Sequence, residues 1–413
     1  MFELKTVSLW NLSVGSNELE VAVYFKPMQS NMPEACPYGR LHKLCLNVLE
    51  RFNYFELKKL GYIEVTMFCG LMFVSCNGNE KAVKNIKLDM HNVEPMALDG
   101  GELIDLEASD SSLIYDICSL EKFDTLLLVH SRDYLRMYDG RNGKFVRNIS
   151  RKGKEEDEYT HINNIWAEGD TIKVYDSNRQ ASLLYSTAGE YLGEEPIGIK
   201  EMPGERPRTK VAAPDGLGFY TLNTFTDKST PTNPKMTYYG TDGKGHGLKG
   251  RDVTEGTSMT DGAYTDTEKG RLLVWEPLRD TIFVADREEI RPLYAIDFGT
   301  AGFAADSQGK QFLVDRLSDF KSAPQPTASF IRYVQTHGGR LYFTFANNAG
   351  TWNLASYDEE SGKSRIYHFA DNENGIEQGA FFKIIGDEVY MEVEHTGEIE
   401  ANPGIYKFDI SSL

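Results

Sequence analysis

One pattern of apolar and polar positions recurs six times between Asp124 and Asp409. Each copy has a Gly or Asp turn, an apolar strand, a second strand that ends near an aromatic-Asp pair, and a closing Gly turn. The clearest copies run from Asp124 to Ile149 and from Asp170 to Glu195, and weaker copies open at Asp215, Gly270, Gly339 and Gly386. A repeat of this size, built only from strands and turns, predicts an all-β fold, a six-bladed β-propeller.

Each copy divides into an inner strand near the ring axis, two middle strands and an outer strand. The predicted inner strands are Ser112–Leu120, Ile162–Ala167, Thr209–Ala213, Gly262–Thr267, Phe330–Thr336 and Gly379–Ile385. The sixth copy supplies only three strands before the chain ends, and the apolar pattern of Glu102–Ser109 is used by no copy. We therefore expect an N-terminal strand, about 102–109, to join the three C-terminal strands and close the last blade, so that the propeller spans 102–413.

Two segments interrupt the repeat. Phe225–Lys235 is a Pro/Thr-rich loop, and Gly299–Ala328 is a longer insertion. Within that insertion, Gln311–Phe320 places Leu313, Leu317 and Phe320 at helical spacing, which predicts a short helix at one end of the ring. Insertions in repeat proteins often decorate the binding face, although inert decoration explains them equally well.

The N-terminal region does not follow the repeat. Residues 57–76 have two lysines, a short apolar core, Ser75 and then Cys76, which is the order of a bacterial lipoprotein signal with Cys76 as the lipidated residue. The apolar core is too short for a membrane span, and a buried segment is the alternative. We expect residues 1–56 to be a non-native upstream extension and residues 77–101 to be a polar tether.

Composition narrows the classes of partner. The net charge is −18, and residues 77–413 carry all of the excess, which argues against nucleic acid or anionic lipid as the main partner. Four of the five cysteines precede residue 77, so the repeat region, which holds only Cys118, has no internal disulfide framework.

Enzymes built on six-bladed propellers place metal or catalytic groups where inner strands begin. The candidates at such positions are His161, Asn163 and Asn164, joined by Asp261 and Asp266, and oxygen-rich groups of this kind can hold Ca²⁺. The alternative is that these residues form turns and hydrogen bonds. The recurring aromatic-Asp pairs are predicted to be turn residues rather than catalytic carboxylates, and no catalytic residue is assigned.

Three tryptophans, Trp166, Trp275 and Trp352, could stack on sugars, although packing within blades is the commoner use of tryptophan.

The runs Ile104–Glu107, Ser111–Ile117 and Leu135–Asn148, followed by Arg151-Lys152-Gly153 and Glu158-Tyr159, resemble the six-bladed β-propeller lipoproteins of Gram-negative gut bacteria, which are NHL/TolB-like and mostly of unassigned function. The resemblance covers roughly residues 100–413. It implies a lipid-anchored propeller of the cell envelope. One turn departs from the family pattern, because Lys154–Tyr159 is charged where the family has glycines.

These observations predict a membrane-anchored binding or scaffold propeller for a protein, peptide or glycan. It would be a monomer without a cofactor. Its lipid alone would hold it at a membrane, with the outer membrane favoured, on either the periplasmic side or the cell surface. The alternative function is a calcium-dependent hydrolase or lactonase with its site at the axial channel. Convergence of three or more carboxylate, amide or imidazole groups at the channel would favour the enzyme.

Overall fold

Six small sheets form a ring in the computed structural model, and each sheet is one blade. The structure describes residues 83–96, 101–199, 209–222, 236–250, 262–303, 313–371, 373–395 and 401–413, all within the compact unit Glu80–Leu413. The predicted six-bladed propeller is confirmed. Residues 1–56, the signal-like segment 57–76 with Cys76, and Phe225–Lys235 lie outside the described residues.

The first three blades are four-stranded antiparallel meanders, listed from the inner to the outer strand. Blade 1 contains β4 (Ser119–Phe123), β5 (Leu126–Ser131), β6 (Tyr134–Asp139) and β7 (Phe145–Asn148). Blade 2 contains β8 (Asn164–Glu168), β9 (Thr171–Asp176), β10 (Ala181–Ser186) and β11 (Tyr191–Pro196). Blade 3 contains β12 (Thr209–Ala212), β13 (Gly218–Leu222), β14 (Met236–Gly240) and β15 (Gly245–Gly247).

Blades 4 and 5 each carry a fifth strand on the outer edge, donated by the N-terminal region. Blade 4 contains β16 (Gly262–Asp266), β17 (Arg271–Trp275), β18 (Thr281–Ala285), β19 (Ile290–Asp297) and the added β1 (Lys84–Lys87). Blade 5 contains β20 (Ala328–His337), β21 (Arg340–Asn347), β22 (Trp352–Asp358), β23 (Ser364–His368) and the added β2 (Val93–Pro95). Both added strands pair in parallel.

The prediction of a polar tether over residues 77–101 is therefore wrong where β1 and β2 form. Ile86 is fully buried and Leu88 nearly so in the apolar cluster of blades 4 and 5, so burial of these side chains fixes the segment on the ring. A polar composition hid this packing, because few apolar side chains are needed to hold a short strand on an existing edge.

Blade 6 closes the ring as expected. It contains β24 (Ala370–Asp371), β25 (Ile376–Ile385), β26 (Glu388–His395), β27 (Gly404–Asp409) and, at the outer edge, β3 (Glu102–Asp105). Strand β3 pairs antiparallel with β27, with Ile104 opposite Ile405. Both isoleucines are buried in the same apolar cluster, so the N-terminal strand and the C-terminal strand seal the last blade together.

One α-helix is described, α1 (Leu313–Ser322), together with the 3-10 helices Gly299–Ala301 and Ile410–Ser412. Helix α1 confirms the helix predicted over Gln311–Phe320. Phe320 packs with Leu278 and Phe303, so the helix rests on the end of the ring where outer strands end and inner strands begin, which we call the upper face.

Five of the six contacts between neighbouring blades are filled by buried apolar clusters, because alternate residues of the strands face each neighbour. These clusters join blades 1 and 2, 3 and 4, 4 and 5, 5 and 6, and 6 and 1. Within the described part of the chain, no such cluster joins blades 2 and 3.

Candidate functional site

The predicted site residues near the start of β8 make structural hydrogen bonds. His161 is exposed, and its backbone N–H donates to Oδ2 of Asp176 (3.2 Å). Asn163 Oδ1 accepts from the N–H of Ser177 (2.9 Å). Asn164 Nδ2 donates to the carbonyl of Lys210 (3.3 Å) and so links blade 2 to blade 3.

Asp176 organises this corner. It is fully buried and accepts from the N–H of Thr160 (2.6 Å), from the Thr160 hydroxyl (2.8 Å) and from the N–H of Asn178 (2.9 Å). A buried carboxylate with several donors is held in place as a turn residue, which is the role predicted for the aromatic-Asp pairs.

The other aromatic-Asp pairs behave in the same way. Asp139 accepts from the N–H of Arg141 (2.9 Å), Asp358 accepts from that of Ser361 (2.7 Å), and Asp409 accepts from that of Ser411 (2.8 Å). Each carboxylate therefore stabilises the turn that follows its strand.

Asp266 lies apart from the three residues near β8. It is the last residue of β16, whereas His161 to Asn164 lie at the start of an inner strand, and the inner strands of a propeller run in the same direction. Asp266 is fully buried, with Oδ2 2.7 Å from Nε of Arg271. Asp261 lies outside the described residues, so the five predicted residues are not seen together and calcium stays a prediction.

In the ranges that the structure describes, no three His, Cys, Asp or Glu side chains are grouped so that they could hold a metal ion.

A second group, which the sequence did not indicate, lies at the upper face where blades 5, 6 and 1 meet. Residues 106–118 cross from β3 to β4, and residues 112–117, predicted as part of the first inner strand, form no strand there. The N–H groups of Ser112 and Leu113 bond the nearby carbonyl of Ser109, whereas those of three later residues bond distant side chains. The N–H of Ile114 donates to Asn402 Oδ1 (2.8 Å), that of Tyr115 to Ser131 Oγ (3.2 Å), and that of Ile117 to Glu392 Oε1 (2.9 Å).

Glu392, on β26, is the most deeply buried carboxylate of this group. Its Oε2 accepts from the N–H of Phe381 (3.0 Å), and its side chain occupies the space beside Gly379, where a Cβ would lie 2.6 Å from Cγ of Glu392. Burial raises the pKa of Glu392 to about 7, although the two N–H donors work against that rise. Through these hydrogen bonds the carboxyl group links blade 6 to residues 106–118, the crossing segment.

Tyr333 fastens the same segment from blade 5. Its hydroxyl donates to the carbonyl of Ile117 (3.2 Å), and its ring meets Phe381 edge-on with centroids 5.1 Å apart. Tyr333 has φ 47° and Phe330 has φ 65°, and the pairing of β20 with β21 shifts register across these residues. Such left-handed conformations in non-glycine residues are strained and must be held by their surroundings.

Two tyrosines stand out from this fastened surface. Tyr115 is 59% exposed and lies under the guanidinium of Arg132, 4.8 Å from the ring centroid. Tyr134 is 38% exposed, and its ring centroid lies 4.3 Å from the guanidinium of Arg136, which is itself buried. Ser131 bonds the backbone of Tyr115 and pairs with Tyr134, so the two tyrosines are neighbours. We call these four Tyr and Arg residues the tyrosine patch.

The contact between blades 2 and 3 holds a cleft of about 630 Å³. Residues from both blades line it, including Asn164, Trp166, Lys173, Lys210, Phe219 and Thr241. Of the three tryptophans considered for sugar stacking, Trp275 is buried and Trp352 packs edge-on against Phe330, whereas Trp166 is half-buried in this cleft.

A cavity of about 730 Å³ lies beside α1 and is lined by residues such as Phe303, Asp319 and Thr327. Residues 304–312 of the same insertion lie outside the described residues. A binding role for the insertion Gly299–Ala328 therefore stays a prediction.

None of the helices in the described ranges has the length and apolar character needed to cross a membrane.

Two solved structures are similar to this chain, and the one with a TM-score above 0.5 supports the architecture. A candidate exported protein from Bacteroides fragilis is 16% identical, with a TM-score of 0.56 over 79% of this chain and 99% of that one. A DUF4221 family member from Bacteroides vulgatus is 9% identical, with a TM-score of 0.46 over 75% of this chain and 98% of that one. At these identities the likeness concerns the fold alone.

The sequence matches no curated protein. The family model for DUF4934, a domain of unknown function, matches residues 97–399, which is well over half of the 413 residues. The NHL/TolB-like part of the resemblance stays a prediction. The matched residues begin just before the closing strand β3 and end just after β26 of the last blade. The chain belongs to the DUF4934 family.

Proposed function

We propose that this protein is a non-enzymatic binding propeller of the cell envelope. A lipid on Cys76 would anchor the protein, and the tyrosine patch would bind a protein or peptide. The observation that carries the proposal is the pairing of two exposed tyrosines with arginines on a rigidly held surface. Tyrosine and arginine are enriched among the residues that contribute most to protein interfaces.

The rigidity of the surface supports this role. The crossing segment beneath Tyr115 is bonded by Asn402, Glu392 and Tyr333, which belong to two other blades. A surface that is already ordered loses less conformational entropy on binding than a mobile loop, so its contacts contribute more fully to affinity.

The charge of the patch is mixed. Arg132 lies 3.6 Å from Asp116, and both side chains are about half exposed or more. An exposed ion pair of this kind contributes little to stability and stays available to a partner. The partner would therefore be a protein or peptide with an aromatic or apolar centre and polar edges, rather than a uniformly charged polymer.

Site-specific cross-linking tests the proposal. A benzophenone amino acid would replace Tyr115 in the full chain, expressed in the native envelope, and the matched control would carry it at Leu217, which is 55% exposed on blade 3. We expect a discrete cross-linked species from position 115 that Arg132→Ala weakens, and none from position 217. Equal cross-linking at the two positions would overturn the tyrosine patch as the binding surface.

The anchor is tested in the same cells. Cys76→Ser should abolish incorporation of labelled palmitate and release the protein from the membrane fraction, because a lipid on this residue would be the attachment. Membrane retention of the Cys76→Ser variant would contradict the anchor. A mature protein that keeps residues 1–56 would contradict both the anchor and the prediction that these residues are a non-native extension.

A further inference from the structure

The contact between blades 2 and 3 differs from the other five because, among the described residues, no buried apolar cluster fills it and polar side chains line it from both blades. In blade 2, Trp166 pairs with Lys173, and their neighbours Ile165 and Val174 point to the opposite face, into the apolar cluster shared with blade 1. In blade 3, Lys210 lines the cleft while Tyr220 and Leu222 point into the cluster shared with blade 4. The cleft is therefore built into the strand alternation of both blades.

The walls of the cleft offer aromatic faces. Trp166 is half-buried on the inner strand of blade 2. Across the cleft, Phe219 stacks on Tyr239 with ring centroids 5.1 Å apart and planes only 15° apart, which fixes the Phe219 ring. A ring held in this way is ordered before any ligand binds.

Two lysines in the cleft have different surroundings. Lys173 Nζ lies 2.6 Å from Oε2 of Glu168 and 3.0 Å from Oε2 of Glu195, so its charge is already balanced. Lys210 Nζ lies 4.9 Å from the centroid of the Phe219 ring, and among the described residues it has no ion pair or hydrogen bond. Burial lowers the pKa of Lys210. Among the described residues, Glu195 is the nearby carboxylate that acts on Lys210, and it makes no direct ion pair with it. A half-buried ammonium group that no carboxylate contacts directly is a natural contact for an anionic ligand.

The remaining lining is mixed. Ile197, Val211 and Ala212 are apolar, Asn164 and Thr241 are polar, and five glycines complete the lining, namely Gly198, Gly216, Gly218, Gly240 and Gly243. Several hydrogen-bonding groups around one aromatic face suit a ligand with hydroxyls on its rim and C–H groups on its face.

We propose that the cleft between blades 2 and 3 binds a sugar ring that carries one anionic group, a carboxylate or a phosphate, with the ring on Trp166 and the anion on Lys210. The neighbouring carboxylates of Glu168 and Glu195 and the net charge of −18 disfavour a polyanion. A single anion beside Lys210 fits the charge of the site. This ligand site is separate from the tyrosine patch on blade 1.

Calorimetric titration of the full chain tests the proposal, with galacturonic acid, galactose 6-phosphate and galactose as the probes. We expect millimolar or tighter binding of at least one anionic sugar, and at least about tenfold weaker binding of galactose. The ratio of the two anionic probes tells carboxylate from phosphate. Absence of binding by both anionic sugars, or equal binding of galactose, overturns the proposal.

Variants locate the site. Lys210→Met should weaken the anionic sugar by about tenfold or more, whereas the matched control Lys363→Met, on an exposed turn of blade 5, should not change it. Ala212→Trp, at an exposed position that lines the cleft, should block all three sugars. Thermal unfolding of each variant checks that the ring is intact. Binding that survives both Lys210→Met and Ala212→Trp in folded protein overturns the proposal.

Discussion

The contact between blades 4 and 5 and the contact between blades 2 and 3 are built from the same kind of strand, yet they are filled differently. The first buries Phe343 and Phe345 against Ile282 and Tyr294. The second places Trp166 and Phe219 around a cleft with two lysines. Apolar burial contributes roughly 25 cal/mol per Å² of surface removed from water. A ring closed by five apolar contacts can therefore leave the sixth open to a ligand.

Core truncation on each side gives the largest expected difference. Phe343→Ala, at a fully buried site, should lower the free energy of unfolding by about 3–5 kcal/mol, because it removes apolar contacts and leaves a cavity. Phe219→Ala, at a half-buried site beside the cleft, should cost less than about 1 kcal/mol. Chemical denaturation of both variants measures the two changes. Similar losses in the two variants would mean that the open contact holds the ring as firmly as the apolar one.

Loss of an ion pair should also cost more stability at the contact between blades 4 and 5 than at the contact between blades 2 and 3. Arg271 lies between the fully buried Asp266 (2.7 Å) and Glu359 (2.8 Å), and Glu359 also pairs with Lys84 and Lys269. Arg271→Met would therefore leave Asp266 without its ion-pair partner, at a cost of about 3–5 kcal/mol. The carboxylates that pair with Lys173 are 67% and 49% exposed, so Lys173→Met should cost at most about 1 kcal/mol. Denaturation at low and high salt distinguishes them. A salt-sensitive loss in Arg271→Met as small as that in Lys173→Met would contradict the comparison.

The smallest effect concerns pH. Burial raises the pKa of Glu392 from its ordinary value of 4.5 to about 7, so the folded protein binds this proton more tightly than the unfolded chain does. The contribution of Glu392 to stability is therefore greatest below pH 4.5. It falls by up to about 3 kcal/mol as the pH rises to about 7, and it is constant above that pH.

Glu392→Gln tests this assignment, because an amide does not titrate in that range. The fall in stability between pH 4.5 and 7 should be shallower in the variant than in the unchanged protein. The variant should also be less stable at low pH, because the amide nitrogen cannot accept from one of the two N–H donors, Ile117 or Phe381. An unchanged pH dependence would show that another group controls it.

Much of the ring could be predicted from local patterns. Strand and turn residues lie close together in sequence, so the six copies, the turn aspartates such as Asp176 and the closing strand near Ile104 were all visible. Helix α1 was visible for the same reason, since its apolar residues follow helical spacing.

The misses share a physical cause, which is dependence on distant partners. Ser112 to Ile117 have strand-forming residues. The N–H groups of Ile114, Tyr115 and Ile117, however, bond Asn402, Ser131 and Glu392 from elsewhere in the ring. The burial of Glu392 depends on the register shift in β25 and on the crossing segment packed above it. Neither feature leaves a local signal.

By itself, the sequence determined the number of blades, the way the ring closes and the structural role of the repeated aspartates, because these follow from periodicity over neighbouring residues. It also named Trp166 as a side chain that could stack on a sugar. The folded ring then placed Trp166 beside Lys173 and set what lies opposite them. The opposing Lys210 and Phe219 belong to another blade, and whether two faces form an apolar contact or a cleft depends on the side chains that both contribute.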